Sequence, residues 1–85
     1  MTAPPLAIGL VGAGPWAQVH ARHLAAHPGI RVSGVWARRP EAAASLAAAI
    51  AAPVASSYDE LLDASAAVDL CVPPGVQPAL ALRAA

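Results

Sequence analysis

The strongest constraint in this sequence is a glycine-containing turn, G-A-G-P-W-A at residues 12–17, which lies between a short apolar run and an amphipathic segment. The apolar run, Leu6–Val11, is bounded by turn residues, as is typical of a strand that is buried on both faces. Pro15 stands where a helix would begin, a position at which its missing N–H costs nothing. The pattern therefore predicts a strand, a tight turn and a helix in direct succession.

The same alternation of strand and helix continues along the chain. Residues 30–37 alternate apolar and polar side chains, and Pro40 opens a segment whose apolar residues recur with helical spacing. Ser57 and Glu60 have the spacing of a capping box at the start of a short helix. After the first strand, the predicted elements are helices at 16–27, 40–52, 57–65 and 76–85 and strands at 30–37, 54–55 and 68–72.

This order of elements predicts the fold class. Strands that are separated by helices pair in parallel, and right-handed crossovers place the helices on both faces of the sheet. We therefore predict an α/β fold, a partial doubly wound (Rossmann) parallel sheet with strand order 3-2-1-4 and helices on both faces. Because 85 residues are about half an average domain, we expect residues 1–85 to be the N-terminal part of such a domain in a longer protein.

Composition excludes several classes of partner. Apolar residues make up 58% of the chain, but the longest strongly apolar stretch, at 6–13, is far shorter than the ~20 residues that span a bilayer. Five basic residues balance five acidic ones, so the clustered positive field that nucleic acids and anionic membranes require is not expected. A single cysteine and no recognisable signal peptide predict a reducing, cytoplasmic location.

The glycine turn itself predicts dinucleotide binding. Gly12 allows the chain to turn tightly, Gly14 has no Cβ that would obstruct a pyrophosphate, and Ala17 allows close packing of helix on strand. The N-terminus of the helix then offers free N–H groups and the positive end of the helix dipole to the phosphates. The alternative is an ordinary βα turn that binds nothing.

The residues after the second strand predict which dinucleotide is preferred. Sheets that bind NAD usually carry an acidic residue here, which accepts hydrogen bonds from the adenosine ribose. This chain instead has Ala37, Arg38 and Arg39, so two guanidinium groups stand where a 2′-phosphate would lie. We therefore expect NADP to be favoured, with NAD as the other cofactor. The alternative is that the two arginines are only a solvated pair.

Four segments together resemble the Gfo/Idh/MocA oxidoreductases, and the resemblance covers residues 6–85. The segments are I-G-L-V-G-A-G at 8–14, the helix that contains His20, R-R-P-E-A at 38–42 and V-P-P-G-V-Q at 72–77. Members pair an N-terminal dinucleotide-binding domain with a C-terminal domain that binds sugar- or polyol-like substrates. The resemblance implies an NAD(P)-dependent oxidoreductase that acts on CH–OH groups, takes a small-molecule substrate and can form homo-oligomers when full length.

The resemblance also implies site residues. Gly12, Gly14, Pro15 and Trp16 match the pyrophosphate turn, and residues 37–39 match the positions that choose the cofactor. The turn after the last predicted strand, which in the family passes beside the ribose and nicotinamide, is matched by Val72, Pro73, Pro74 and Gln77.

Two departures from the family pattern bear on catalysis. Gln77 stands where many members have histidine, and the chain has no lysine although the family carries an active-site lysine on a later strand. With that strand and the substrate domain absent from this chain, we expect no catalytic residues within it and no turnover by the chain alone.

Other interpretations of the sequence stay open. A non-catalytic module that senses nicotinamide dinucleotides is the alternative function, whereas a methyltransferase would want an acid where Ala37 stands. His20, His23 and His27 have a spacing that a metal could use, but no acid or cysteine shares their helix, so we predict no metal site. Cys71 is expected to be a small buried hydrophobe, and the sequence does not decide the role of Asp69.

Overall fold

The computed structural model of the chain describes residues 4–71, which form three parallel strands and three helices. The sheet has the order β2-β1-β3. None of the helices within these residues is long and apolar enough to cross a membrane. The elements, in chain order, are β1 (Leu6–Val11), α1 (Pro15–Ala26), β2 (Ile30–Trp36), α2 (Pro40–Ala49), α3 (Tyr58–Ala64) and β3 (Ala67–Leu70).

The strand predicted at residues 54–55 does not form, so the four-strand order 3-2-1-4 is not shown; the three strands of the structure have the predicted order 2-1-4. Val54 makes only an isolated parallel bridge to Val35, and two hydrogen bonds of 2.9 Å flank it, from Val35 N to Pro53 O and from Ala55 N to Val35 O. Pro53 has no N–H with which to extend the ladder on the N-terminal side, and on the other side Ser57 is already the N-cap of α3. The predicted fourth strand is β3, which pairs with β1.

A smaller difference concerns the end of the second helix. α2 ends at Ala49 rather than at 52, because Ala51 adopts a left-handed conformation with φ of 55° and the N–H of Ala52 returns to the carbonyl of Ala47 at 2.9 Å. The helix predicted at 76–85 lies outside the described residues, as do Val72, Pro73, Pro74 and Gln77.

Helices cover both faces of the sheet, as predicted. Successive residues of β1 point to opposite faces, so Leu10 packs towards α1 and α2 whereas Val11 packs towards α3, and both are fully buried. The cluster on the first face comprises Leu10, Ala17, Ala21, Val35, Ala43, Leu46 and Ala47. The cluster on the second face comprises Val11, Ala55, Tyr58 and Leu61.

Glycines in the strands allow α3 to approach the sheet closely. A Cβ at Gly9 would lie 2.7 Å from Leu61 Cγ and 2.7 Å from Ser65 Oγ, and one at Gly34 would lie 3.1 Å from Leu61 Cδ1. The register of β1 against β2 shifts between Ile8 and Gly9. Beside that shift, the buried Ser33 contacts Ser65, with 2.5 Å between their hydroxyl oxygens. These small residues therefore form the surface on which α3 rests.

Ser57 caps the N-terminus of α3, as the sequence predicts. Its hydroxyl oxygen accepts the N–H of Glu60 at 3.0 Å. The carboxylate of Glu60 accepts hydrogen bonds from the hydroxyl and the N–H of Ser56, which lower the pKa of Glu60. The side chain of Glu60 therefore bonds the residue before the N-cap, Ser56, and not the N–H of the N-cap Ser57 itself. The capping box is thus present with this one bond shifted by a residue.

We expect Ser57→Ala to lower the free energy of unfolding by about 1 kcal/mol, because one N–H of α3 loses its acceptor. Thermal unfolding measures this loss as a fall of about 4–8 °C in Tm for a chain of this size. Ser45→Ala is the matched control, since Ser45 is exposed within α2 and alanine favours a helix there. Equal Tm values for the two variants would contradict the capping role.

Candidate functional site

The carboxyl ends of the three strands meet at one edge of the sheet. In the register, Val11 lies beside Trp36 of β2 and Leu70 of β3. The N–H of Gly12 donates to the carbonyl of Trp36, and the N–H of Cys71 donates to the carbonyl of Val11, both at 2.8 Å. The neighbours of β1 lie on opposite sides of it in the order β2-β1-β3, which makes this edge a topological switch point. Open α/β sheets bind ligands at such points.

Glycine stands at positions 12 and 14 of the turn for different structural reasons. Gly12 has φ of 107°, a conformation that residues with a side chain rarely adopt. Gly14, the N-cap of α1, has an ordinary φ of −77°, and a Cβ there would meet nothing within 4 Å. Neither backbone strain nor packing among the described residues therefore requires glycine at position 14. Its bare backbone leaves room for a group that approaches the turn from outside.

The N-terminus of α1 keeps its positive character. Gly14 offers no side-chain cap, Pro15 occupies the first helical position, and the first turn contains no acidic residue. Trp16 has 74% of its surface exposed, whereas Ala17 is fully buried and holds the helix close to the sheet. A helix N-terminus that has no side-chain cap and no acidic residue in its first turn attracts anions.

Residues 37–39 connect β2 to α2 at the same edge. Ala37 is partly buried against the first core cluster, and Arg38 and Arg39 are exposed. Arg39 is the N-cap of α2, and its carbonyl accepts the N–H groups of Ala42 and Ala43. Within residues 4–71 neither guanidinium forms an ion pair. Both charges are therefore available at the edge.

Two aromatic residues near this edge, Trp36 and Tyr58, pack into the second core cluster, whereas Trp16 is exposed. The rings of Trp36 and Tyr58 contact each other, with centroids 5.5 Å apart and planes inclined by 46°. Tyr58 is only 2% exposed and packs with Val11 and Leu61. The tyrosine ring is therefore a core residue rather than a surface for an adenine.

A group of chemically reactive side chains between α1 and β3 was missed by sequence reasoning. His20 Nδ1 lies 2.6 Å from Asp69 Oδ2, and the thiol of Cys71 lies 3.5 Å from Asp69 Oδ1. Burial, with the adjacent Asp69 charge, raises the pKa of the Cys71 thiol to about 12. His27, by contrast, accepts the N–H of Gly29 at 2.9 Å and stabilises a turn. Only the pairing of β3 with β1 could have revealed this proximity.

A groove of about 390 Å³ lies between α1 and α2. Its lining combines small apolar residues such as Ala42 and Ala49 with Gln18, and Arg22 is its one charged side chain among the described residues. The lining also includes Ala13, so the groove begins at the turn at 12–17, where the features that attract anions are concentrated.

Comparisons with known proteins place the chain among oxidoreductases. A family described as "Oxidoreductase family, NAD-binding Rossmann fold", the Gfo/Idh/MocA family, matches residues 6–85. A search of curated proteins found no significant match.

Three solved structures illustrate the similarity. UDP-N-acetylglucosamine 3-dehydrogenase GnnA from Acidithiobacillus ferrooxidans is 29% identical over 96% of this chain, with a TM-score of 0.88. GenD2 from gentamicin A biosynthesis, in complex with NAD, is 27% identical over 98% of this chain, with a TM-score of 0.89. KijD10, a 3-ketoreductase from Actinomadura kijaniata in complex with TDP-benzene and NADP, is 26% identical over 94%, with a TM-score of 0.83. The chain spans 27%, 24% and 27% of their respective lengths.

Proposed function

The chain belongs to the Gfo/Idh/MocA oxidoreductase family, with its NAD-binding Rossmann fold, and we propose that it holds a nicotinamide dinucleotide across the carboxyl edge of its sheet. In this proposal Gly12, Gly14, Pro15 and Trp16 receive the pyrophosphate. The observation that carries the proposal is the open space at Gly14, where a Cβ would meet no atom of residues 4–71 within 4 Å. A pyrophosphate that contacts bare backbone explains glycine at that position.

The electrostatics of the turn support an anionic ligand. The first turn of α1 has neither a side-chain cap nor an acidic residue, so the positive end of the helix dipole faces whatever occupies the edge. Hydrogen bonds from backbone N–H groups to a phosphate are charge-assisted, and each contributes about 1.5–3 kcal/mol. Gly12 also fixes the path of the turn through its N–H, which donates to the carbonyl of Trp36.

The residues after β2 bind the adenosine ribose in this proposal, and the cofactor they favour is NADP. Arg38 and Arg39 are exposed at the edge without an ion-pair partner within residues 4–71, and Ala37 supplies no carboxylate that would repel a 2′-phosphate. The similar structures include one complex with NAD and one with NADP, so the preference rests on the arginines.

We expect Arg38→Asp to weaken NADPH binding about 10–100-fold, because a guanidinium that pairs with the 2′-phosphate is replaced by a like charge. The dissociation constants for NADPH and NADH, measured by fluorescence titration, give the change in preference. Arg31→Asp is the control, because Arg31 is exposed near the opposite end of β2 and should change neither constant. Tighter binding of NADH than of NADPH by the unsubstituted protein, together with no effect of Arg38→Asp, would contradict the preference.

The remaining part of the proposal concerns the reaction. The nicotinamide ring of a bound dinucleotide supplies the hydride chemistry, and we propose a sugar- or polyol-like substrate whose CH–OH carbon exchanges the hydride. Val72, Pro73, Pro74 and Gln77 are proposed to border the ribose and nicotinamide. The names of two similar proteins, a UDP-N-acetylglucosamine 3-dehydrogenase and a 3-ketoreductase, support this substrate class.

Turnover tests this part of the proposal. The chain spans about a quarter of the length of these relatives, so the assay uses a protein of the relatives' length that contains this chain. Reduction of NADP in the presence of a panel of sugars and polyols, followed by absorbance, is the expected result. Saturable dinucleotide binding without turnover on any of these substrates would favour the alternative, a module that senses the dinucleotide.

A further inference from the structure

Three side chains with different ligand atoms converge between α1 and the end of β3. The imidazole of His20, the carboxylate of Asp69 and the thiol of Cys71 each offer one ligand atom, and these atoms all lie within 4.8 Å of one another. His20 comes from the second turn of α1, whereas the other two residues are 49 and 51 positions further along the chain. The convergence is therefore created by the fold and is not a local sequence motif.

The three ligand atoms lie within 4.8 Å of one another, near enough for one metal ion to reach all of them after small shifts of the side chains. Ligand atoms at about 2.0–2.3 Å from a tetrahedral Zn²⁺ are about 3.3–3.8 Å from one another. In the structure, Asp69 Oδ1 lies 3.5 Å from Cys71 Sγ, and Asp69 Oδ2 lies 2.6 Å from His20 Nδ1. The second pair must open by about 1 Å to admit a cation, which rotation of the half-exposed imidazole can provide.

The donor set and its accessibility indicate which cation fits. One nitrogen, one oxygen and one sulfur ligand suit a borderline-soft ion such as Zn²⁺ and not the hard ions Mg²⁺ and Ca²⁺, which take oxygen ligands. The side chains of His20 and Asp69 are 45% and 27% exposed, so an ion can enter from solvent. Three protein ligands leave a fourth position for water.

We propose that His20, Asp69 and Cys71 form a binding site for one divalent transition-metal cation of the Zn²⁺ class. The site links α1, whose N-terminus lies at the glycine turn, to the chain just after β3, where Cys71 is hydrogen-bonded to Val11. This proposal does not depend on dinucleotide binding, and its test contains no dinucleotide.

Titration with Co²⁺, a spectroscopic substitute for Zn²⁺, tests the site. Cys71 is the only cysteine of the chain, so a thiolate-to-cobalt charge-transfer band can arise from this residue alone. We expect the band to saturate at one Co²⁺ per chain and to disappear when Zn²⁺ is added. Cys71→Ser should abolish the band, and His20→Ala should weaken Co²⁺ binding at least about tenfold.

The control is His23→Ala, because His23 is exposed on the same helix but does not belong to the cluster. This variant should bind Co²⁺ with unchanged affinity. The unsubstituted protein is decisive by itself: no saturable charge-transfer band up to millimolar Co²⁺ would overturn the proposal, whatever the variants do. Equal weakening by His23→Ala and His20→Ala would also overturn it, since binding would then be a general property of the helix.

Discussion

Replacement of Gly14 by alanine is expected to weaken dinucleotide binding about 10–100-fold, the loss that follows when a charge-assisted hydrogen bond of about 1.5–3 kcal/mol is prevented. The added methyl group would meet no atom of the described protein within 4 Å, and φ of −77° is normal for alanine. Among residues 4–71 the methyl group obstructs nothing, so the expected loss of affinity comes from a ligand at the turn. Isothermal titration with NADPH measures the effect.

Stability separates this effect from misfolding. Alanine is a poorer N-cap than glycine, which destabilises the folded state. It also lowers the conformational entropy of the unfolded chain, which stabilises the folded state by about 0.4–1 kcal/mol, so the two contributions nearly cancel. We therefore expect the Tm of Gly14→Ala to stay close to that of the unsubstituted protein. Unchanged NADPH affinity in a folded Gly14→Ala variant would show that the pyrophosphate does not contact this backbone.

Gly9→Ala, in contrast to Gly14→Ala, is expected to lower the stability of the protein by a large amount. Its Cβ would lie 2.7 Å from both Leu61 Cγ and Ser65 Oγ, distances at which atoms must shift. Leu61 is only 1% exposed, so it has little room to move. Overpacking of this kind costs about 1–3 kcal/mol, which corresponds to a fall of about 5–20 °C in Tm for a small domain. Thermal unfolding measures the fall, and Gly14→Ala is the matched control.

A double-mutant cycle identifies the cause of this loss. In a Leu61→Ala background the leucine atoms that approach position 9 are absent, so Gly9→Ala should cost clearly less than it does in the unsubstituted protein. The same penalty in both backgrounds would show that contact with Leu61 is not the origin of the effect, and an unchanged Tm for Gly9→Ala would contradict the close packing of α3.

The elements of the fold were predictable where local signals are strong. Periodicity and the glycine turn predicted β1 with its observed ends, Ser57 predicted the start of α3, and alternation of strands and helices predicted a parallel sheet covered on both faces. The strand predicted at 54–55 does not form, because Pro53 lacks an N–H for the next hydrogen bond and only Val54 pairs with Val35. No local pattern reveals that a two-residue segment will stop after one bridge.

The candidate site was predictable only in part. The motif predicts that Gly14 contacts a pyrophosphate, and this stays a prediction; the contrast with Gly9 depends on tertiary packing, which no local pattern shows. A Cβ at Gly9 would clash with Leu61, whereas a Cβ at Gly14 would meet no atom of the described residues within 4 Å. The cluster of His20, Asp69 and Cys71 depends on the pairing of β3 with β1, a long-range contact that helical spacing of histidines cannot indicate.

The most direct test of the dinucleotide site is the amide NMR spectrum of the protein during titration with NADPH. We expect saturable shifts that are largest for the backbone N–H groups of Gly12, Gly14 and Trp16, with smaller ones at Arg38 and Arg39. Shifts confined to the groove between α1 and α2, around Gln18 and Arg22, would contradict the account, as would a spectrum that stays unchanged at millimolar NADPH.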